Sequence, residues 1–123
     1  MEKPQVLVVD DDKTSLDITK LFLKGLYEID TAENGVEAIK KTETKRYDAI
    51  LMDIGLGRGM NGVEATKKIR GNRNYKNVPI VAVTAYVMRG DKEEFLNAGC
   101  SHYLSKPFES AKLRELLKSI LLI

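Results

Sequence analysis

The chain has no tryptophan, one cysteine and one histidine. A single thiol cannot close an intrachain disulfide, which excludes a disulfide-framed secreted scaffold and fits a reducing compartment. No motif or basic cluster surrounds Cys100, and that argues against a reactive thiol. His102, being alone, offers neither a histidine metal site nor a general base, and reads as an exposed residue at a strand start. No apolar run reaches the length of a membrane span, and no signal-peptide apolar region follows Met1-Glu2-Lys3-Pro4. A soluble, cytoplasmic chain without membrane association is expected. The net charge of +2 is too small to imply nucleic acid. The one dense basic patch, Lys67, Lys68, Arg70, Arg73 and Lys76, is explained most simply as a solvated helix face. Repeats, low-complexity tracts and linkers are also missing, so residues 1–123 are expected to form one domain. With 43% hydrophobic and 31% charged residues, that domain is globular rather than disordered.

What is present is an alternation. Gln5 to Val9 is a buried strand that stops at Asp10-Asp11-Asp12. Thr14 or Ser15 can cap the next helix, with Asp17 in its first turn, and Ile18, Leu21, Phe22 and Leu26 predict one apolar face. Tyr27 to Thr31 is a second strand. Asn34 caps a helix reaching about Thr44. Asp48-Ala49-Ile50-Leu51-Met52-Asp53 is a strand buried on both faces, followed by the glycine-rich Ile54-Gly55-Leu56-Gly57-Arg58-Gly59. Asn61-Gly62-Val63-Glu64 opens a third helix that Gly71-Asn72 ends. Val78 to Thr84 is a fourth strand, and a helix runs over roughly Val87 to Ala98 with Gly99 as its cap. His102 to Ser105 is a fifth strand, and Leu113, Leu116, Leu117, Ile120 and Leu121 stripe the last helix. Five strand–helix alternations with short connections predict an α/β fold, a doubly wound parallel sheet with helices on both faces.

In such a sheet the C-terminal strand ends share one rim, where ligands bind. That rim collects Asp10, Asp11 and Asp12, then Asp53, Thr84 and Lys106. Crowded carboxylates repel unless a cation neutralises them, and a hard divalent ion such as Mg²⁺ suits few protein ligands plus water. A carboxylate nucleophile with a divalent metal, a lysine and a hydroxyl is a set suited to phosphoryl transfer. Each residue alone has an ordinary explanation as a turn former or a helix cap. Four of them at four strand ends are harder to dismiss.

These residues, in this order, resemble the receiver domain of two-component response regulators, of the chemotaxis-regulator kind. The resemblance rests on Val8-Val9-Asp10-Asp11, Leu51-Met52-Asp53, Val83-Thr84-Ala85 and Tyr103-Leu104-Ser105-Lys106-Pro107-Phe108. Asn34-Gly35-Val36-Glu37-Ala38 and Ala98-Gly99 also match, so it covers essentially the whole chain. It implies the flavodoxin-like (βα)5 fold with strand order 2-1-3-4-5. It further implies that Asp53 is a phospho-acceptor, taking its phosphoryl group from a phosphohistidine on a histidine kinase or a histidine phosphotransfer domain. Asp11, Asp53 and the backbone carbonyl of Gly55 would hold Mg²⁺ (or Mn²⁺), with Asp10 reaching it directly or through water. Lys106 would pair with a phosphoryl oxygen. Thr84 would swing toward the phosphoryl group and Tyr103 inward behind it, altering the surface of the fourth helix, fifth strand and fifth helix. The implied protein catalyses only its own phosphorylation and dephosphorylation. It would be a monomer or a weak phosphorylation-dependent dimer, free-standing or part of a hybrid kinase.

The chain departs from the family after the acceptor. Gly57-Arg58-Gly59 stands where a proline is usual, with one extra residue before Gly62. That raises the possibility of Arg58 reaching the site, against the plainer reading of a tolerated insertion. Asp12 reads as peripheral, Tyr86 as either a shield over the phosphoryl bond or a cover for a helix, and Met52 and Met88 as packing. Two rivals share parts of the pattern. A haloacid-dehalogenase-type phosphatase needs a second acid two residues after its nucleophile, where this chain has Gly55. A flavin carrier of the same fold needs a phosphate loop after the first strand, where Asp10-Asp11-Asp12 would repel a phosphate.

Overall fold

The computed structural model describes residues 3–55, 60–85 and 91–121, with the backbone alone at 91 and 92. Strands β1 (Gln5–Val9), β2 (Glu28–Ala32), β3 (Ala49–Asp53), β4 (Ile80–Thr84) and β5 (His102–Ser105) alternate with helices. The helices are α1 (Lys13–Leu23), α2 (Gly35–Thr44), α3 (Gly62–Arg70), α4 (Asp91–Ala98) and α5 (Ser110–Leu121), with a single 3₁₀ turn at Arg73–Tyr75. The sheet runs β2-β1-β3-β4-β5 and every pairing is parallel. This is the flavodoxin-like order that the motifs imply.

Both faces of the sheet are covered, which is why its strands read as unbroken apolar runs. Side chains alternate between faces along each strand. Leu7, Val9, Ile50, Met52, Ile80 and Ala82 point to the side of α2, α3 and α4, meeting Ala38, Ile69 and Phe95. Val6, Val8, Ala49, Leu51, Val81 and Val83 point to the other side, meeting Leu16 and Leu23 of α1 and Leu113 and Leu117 of α5. Each fully buried aliphatic side chain contributes roughly 1.5–3 kcal/mol, so the two layers fix the sheet between its helices.

The first helix differs from its sequence reading. Its N-cap is Asp12, whose carboxylate accepts from the Thr14 amide at 3.1 Å and from the Ser15 hydroxyl at 3.1 Å. Thr14 and Ser15 are therefore capped residues, not caps, and Asp17 lies beyond the first turn. A carboxylate accepts where a hydroxyl would have to compete, and it is the better cap beside positive N–H ends. The apolar face is also rotated. Leu16, Thr19 and Leu23 meet the sheet, whereas Ile18 is 45% and Leu21 68% exposed. Phe22 is half-buried and meets Phe108 edge to face, with ring centroids 6.2 Å apart. Leu26 lies past the helix end. Strand β2 starts one residue later than expected and β4 two.

Asn34 and Asn61 cap α2 and α3 as expected, accepting from the amides of Glu37 at 2.8 Å and Glu64 at 2.9 Å. At the open edge of β2, Lys45 pairs with Asp30 at 2.9 Å and Tyr47 Oη donates to the same carboxylate at 2.7 Å. Lys41 donates to the outward carbonyl of Thr31. Charged side chains over an edge strand block pairing with another chain. Arg70 departs from the solvated-face reading: it is half-buried, and its guanidinium donates to the carbonyls of Gly99, at 2.8 Å, and Tyr75.

Candidate functional site

Asp10 follows β1, with its amide bonded to the Ala32 carbonyl at 3.0 Å. Asp53 is the last residue of β3, one register step short of Thr84, because it pairs with Val83. Lys106 follows β5 and its amide bonds to the Thr84 carbonyl at 2.8 Å. Parallel strands in a common register thus deliver residues 10, 53, 84 and 106 to one rim.

Each buried carboxylate is oriented by a backbone amide two residues on. Asp10 Oδ1 accepts from the Asp12 amide at 3.0 Å, and Asp53 Oδ1 from the Gly55 amide at 3.0 Å. Their Oδ2 atoms face Lys106 Nζ, at 3.0 Å from Asp10 and 3.4 Å from Asp53. Asp10 is 5% and Asp53 8% exposed; Asp11, next to them, is open to solvent. One oxygen of each of Asp10, Asp11 and Asp53 lies within 4.8 Å of the others.

Burial pushes the Asp53 carboxyl up to about 6, and the negative charge of Asp10 pushes the same way. Lys106 and the Gly55 amide pull it back without prevailing. Burial lowers the Lys106 ammonium, but its hydrogen bond to Asp10 and the charges of Asp53 and Asp10 outweigh that and hold it above its ordinary value. Among the described residues, one ammonium faces three carboxylates and cannot offset them. The remaining deficit, met by oxygen donors only, fits a hard divalent cation retaining several waters.

The other predicted residues are distributed as follows. Thr84 is buried at its strand end, at 7% exposure, while Tyr103 is 39% exposed and so faces outward in this conformation. Asp12 is occupied as the α1 cap. Gly55 is exposed, and among the described residues a Cβ there would meet Asp53 Oδ1 at 3.7 Å, an ordinary contact. Met52 is fully buried, as a packing residue is. Cys100 is buried and its thiol is pushed up by that burial, in keeping with an unreactive sulfur. His102, half-buried, meets Ser101 Oγ at 2.8 Å at the opposite end of β5 from Lys106. Arg58, with Gly57 and Gly59, and Tyr86 and Met88 lie outside the described residues. Sequence reasoning missed Asp12 as a cap, though an acid directly before a helical run signals one. It also missed the closeness of Gly62 to Asp53, which no local pattern signals.

The family model described as "Response regulator receiver domain" matches residues 6–118. The chain is a response regulator receiver domain. It is 34% identical to the polar-differentiation response regulator DivK of Brucella anthropi over 117 residues, 94% of each chain. Among solved structures, the receiver domain of the sensor histidine kinase PA1611 from Pseudomonas aeruginosa is 36% identical. It superposes with a TM-score of 0.90 over 98% of this chain and 99% of that one, and is described with magnesium coordinated in its active-site cleft. The chemotaxis protein CheY4 of Vibrio cholerae is 32% identical, with a TM-score of 0.92 over 97% and 99%.

This receiver domain therefore belongs to two-component phosphorelay signalling, whose receivers interact with histidine kinases or phosphotransfer proteins. It carries an acidic pocket at its strand ends. No helix among the described residues is long and apolar enough to cross a membrane.

Proposed function

We propose that Asp53 is the phospho-acceptor of this receiver domain and that residues 1–123 form one such domain. The observation that carries the reading is the Asp53 carboxylate, nearly buried, 3.4 Å from Lys106 and inside a cluster with Asp10 and Asp11. In the reaction an Asp53 oxygen attacks the phosphorus of a phosphohistidine. The P–O bond to Asp53 forms as the P–N bond breaks, and the imidazole leaves with the electron pair. An ionised carboxylate needs no general base, and a group titrating at about 6 is mostly ionised at neutral pH.

Asp10, Asp11, Asp53 and the Gly55 carbonyl would hold Mg²⁺ or Mn²⁺, which offsets charge on the transferred group. Lys106 pairs with a phosphoryl oxygen, releasing Asp10. Thr84 supplies a hydroxyl beside the new phosphate. Tyr103, outward here, turns inward behind it and remodels the α4-β5-α5 surface, a local charge change biasing two side-chain packings. The protein handles its own phosphorylation and dephosphorylation and turns over no separate substrate.

The donor is a histidine kinase or a histidine phosphotransfer domain, met in the cytoplasm, and the domain is a monomer or a weak phosphorylation-dependent dimer. Its similarity to both DivK, a response regulator, and the receiver of a sensor kinase supports either a free-standing regulator or a module of a hybrid kinase. Incubation with acetyl phosphate, with and without Mg²⁺, followed by intact mass tests the proposal. A phosphoryl adduct that needs Mg²⁺ and is lost in Asp53→Asn is expected; an adduct retained at the same rate in Asp53→Asn overturns it.

A further inference from the structure

Gly62 opens α3, and its backbone is ordinary for an L-residue, since the described glycines with positive φ are Gly25 and Gly99. What demands a glycine is space. A Cβ there would lie 2.4 Å from the Asp53 carbonyl oxygen, 2.8 Å from the Ile54 Cα and 3.1 Å from the Asp53 carbonyl carbon. All three are main-chain atoms of one peptide unit, so no side chain can swing aside. On its other side that unit is tied to β4, the Ile54 amide donating to the Val83 carbonyl at 3.0 Å. The Asp53–Ile54 peptide is thus held between a ladder hydrogen bond and a bare glycine Cα.

The helix that presents Gly62 is itself fixed. Thr66, fully buried, donates its hydroxyl to the Gly62 carbonyl at 2.8 Å. Asn61 caps the helix through the Glu64 amide. Gly35 of α2 lets Met60 and Ala65 come close, since a Cβ there would lie 3.2 Å from the Met60 carbonyl oxygen and 3.2 Å from the Ala65 Cβ.

We propose that Gly62 is a positioning residue for the acceptor: by letting α3 touch the Asp53–Ile54 peptide, it sets where the Asp53 carboxylate and the Gly55 backbone stand relative to Asp10 and Asp11. The inference rests on the reading of Asp53 and its acidic neighbours as a cation-assisted acceptor site. A side chain at position 62 moves the peptide, the Asp53 Oδ1 to Gly55 amide bond with it, and the oxygen donors out of their common reach. Groups that orient metal ligands without touching the metal typically control affinity by 10–100-fold.

The test uses Gly62→Ala, with Ile69→Val as control, a buried residue on the same helix that lies in the core rather than against Asp53. Three quantities are read well below the unfolding midpoint: Mg²⁺ affinity by calorimetry, hydrogen exchange of the Ile54 amide in metal-free protein, and urea stability. Gly62→Ala is expected to weaken Mg²⁺ binding roughly ten-fold or more and to speed Ile54 exchange. Ile69→Val is expected to lower stability while leaving both other readouts unchanged. Should Gly62→Ala not fold, Thr66→Val decides: it removes the hydroxyl that holds the Gly62 carbonyl, keeps the glycine, and is expected to weaken Mg²⁺ binding several-fold. Wild-type Mg²⁺ affinity and wild-type Ile54 protection in Gly62→Ala, or in Thr66→Val if the first is unfolded, overturn the proposal. Because Ile54 exchange is read without metal or phosphodonor, this failure is distinct from retention of phosphorylation by Asp53→Asn, which overturns the acceptor reading.

Discussion

Lys106 sits closer to Asp10 than to Asp53, its ammonium donating at 3.0 Å to the first and 3.4 Å to the second. The lysine thus bridges two acids that would otherwise repel. On the proposed reading of the site, a divalent ion held by Asp10 would compete with Lys106 for that carboxylate.

Lys106→Ala accordingly has two opposite effects. Removing a competing positive charge tightens Mg²⁺ binding several-fold, measured by calorimetry. Removing a charge aimed at the phosphoryl group slows phosphorylation by acetyl phosphate by about 10²-fold at saturating Mg²⁺. Weaker Mg²⁺ binding in the variant would show that Lys106 supports the ion rather than competes with it.

Asp53 predicts a pH dependence of definite sign. Its folded carboxyl titrates at about 6 against an ordinary 3.8, so between those values the folded state binds more protons than the unfolded state. Stability from this group is then present below about pH 4 and is lost as pH rises through about 6. Carbonyl NMR of metal-free protein should show an Asp53 midpoint near 6 that falls when Mg²⁺ is added. Asp53→Asn, which removes the charge but keeps the shape, should raise metal-free stability at neutral pH by on the order of 1 kcal/mol.

Asp12 separates a cap from a ligand. Its carboxylate is committed to the first turn of α1. Asp12→Ala should cost about 1 kcal/mol in urea denaturation, while Asp12→Ser recovers most of it and neither changes Mg²⁺ affinity by more than about two-fold. A ten-fold weakening in both variants would make Asp12 part of the cation site.

Gly99 and Gly25 both have positive φ, at 114° and 84°, yet they should respond differently to alanine. Nothing among the described residues lies within 4 Å of a Cβ at Gly25, whereas one at Gly99 would meet Arg70 Cγ at 2.6 Å. Gly25→Ala should cost about 1–2 kcal/mol from backbone strain alone. Gly99→Ala adds displacement of Arg70, whose guanidinium ties the end of α3 to the Gly99 carbonyl, and should cost about 2–4 kcal/mol. Equal costs would mean that Arg70 moves aside freely.

The layers and the rim were legible because their signals are local. Apolar runs mark strands buried on both faces, and an acid or a lysine directly after such a run must stand on the rim. The caps Asn34, Asn61 and Gly99 were legible for the same reason. The face of α1 was not, since Ile18, Leu21 and Phe22 satisfy helical spacing as well as Leu16, Thr19 and Leu23 do. Only the sheet's position chooses between them. Arg70 read as one cation among five because its partners are carbonyls 5 and 29 residues away, invisible to composition. Gly62 read as a helix start, and its contact with Asp53 depends on how two elements pack.

The ion pair between Lys106 and Asp10 joins residues 96 positions apart. The acids of β1 and β3 meet their counter-charge only when β5, the last strand, has docked beside β4. Until that step the carboxylates of Asp10 and Asp53 lack the ammonium that bridges them in the finished sheet. The charge balance of the rim is thus completed last along the chain, by the strand farthest in sequence from the acid it serves.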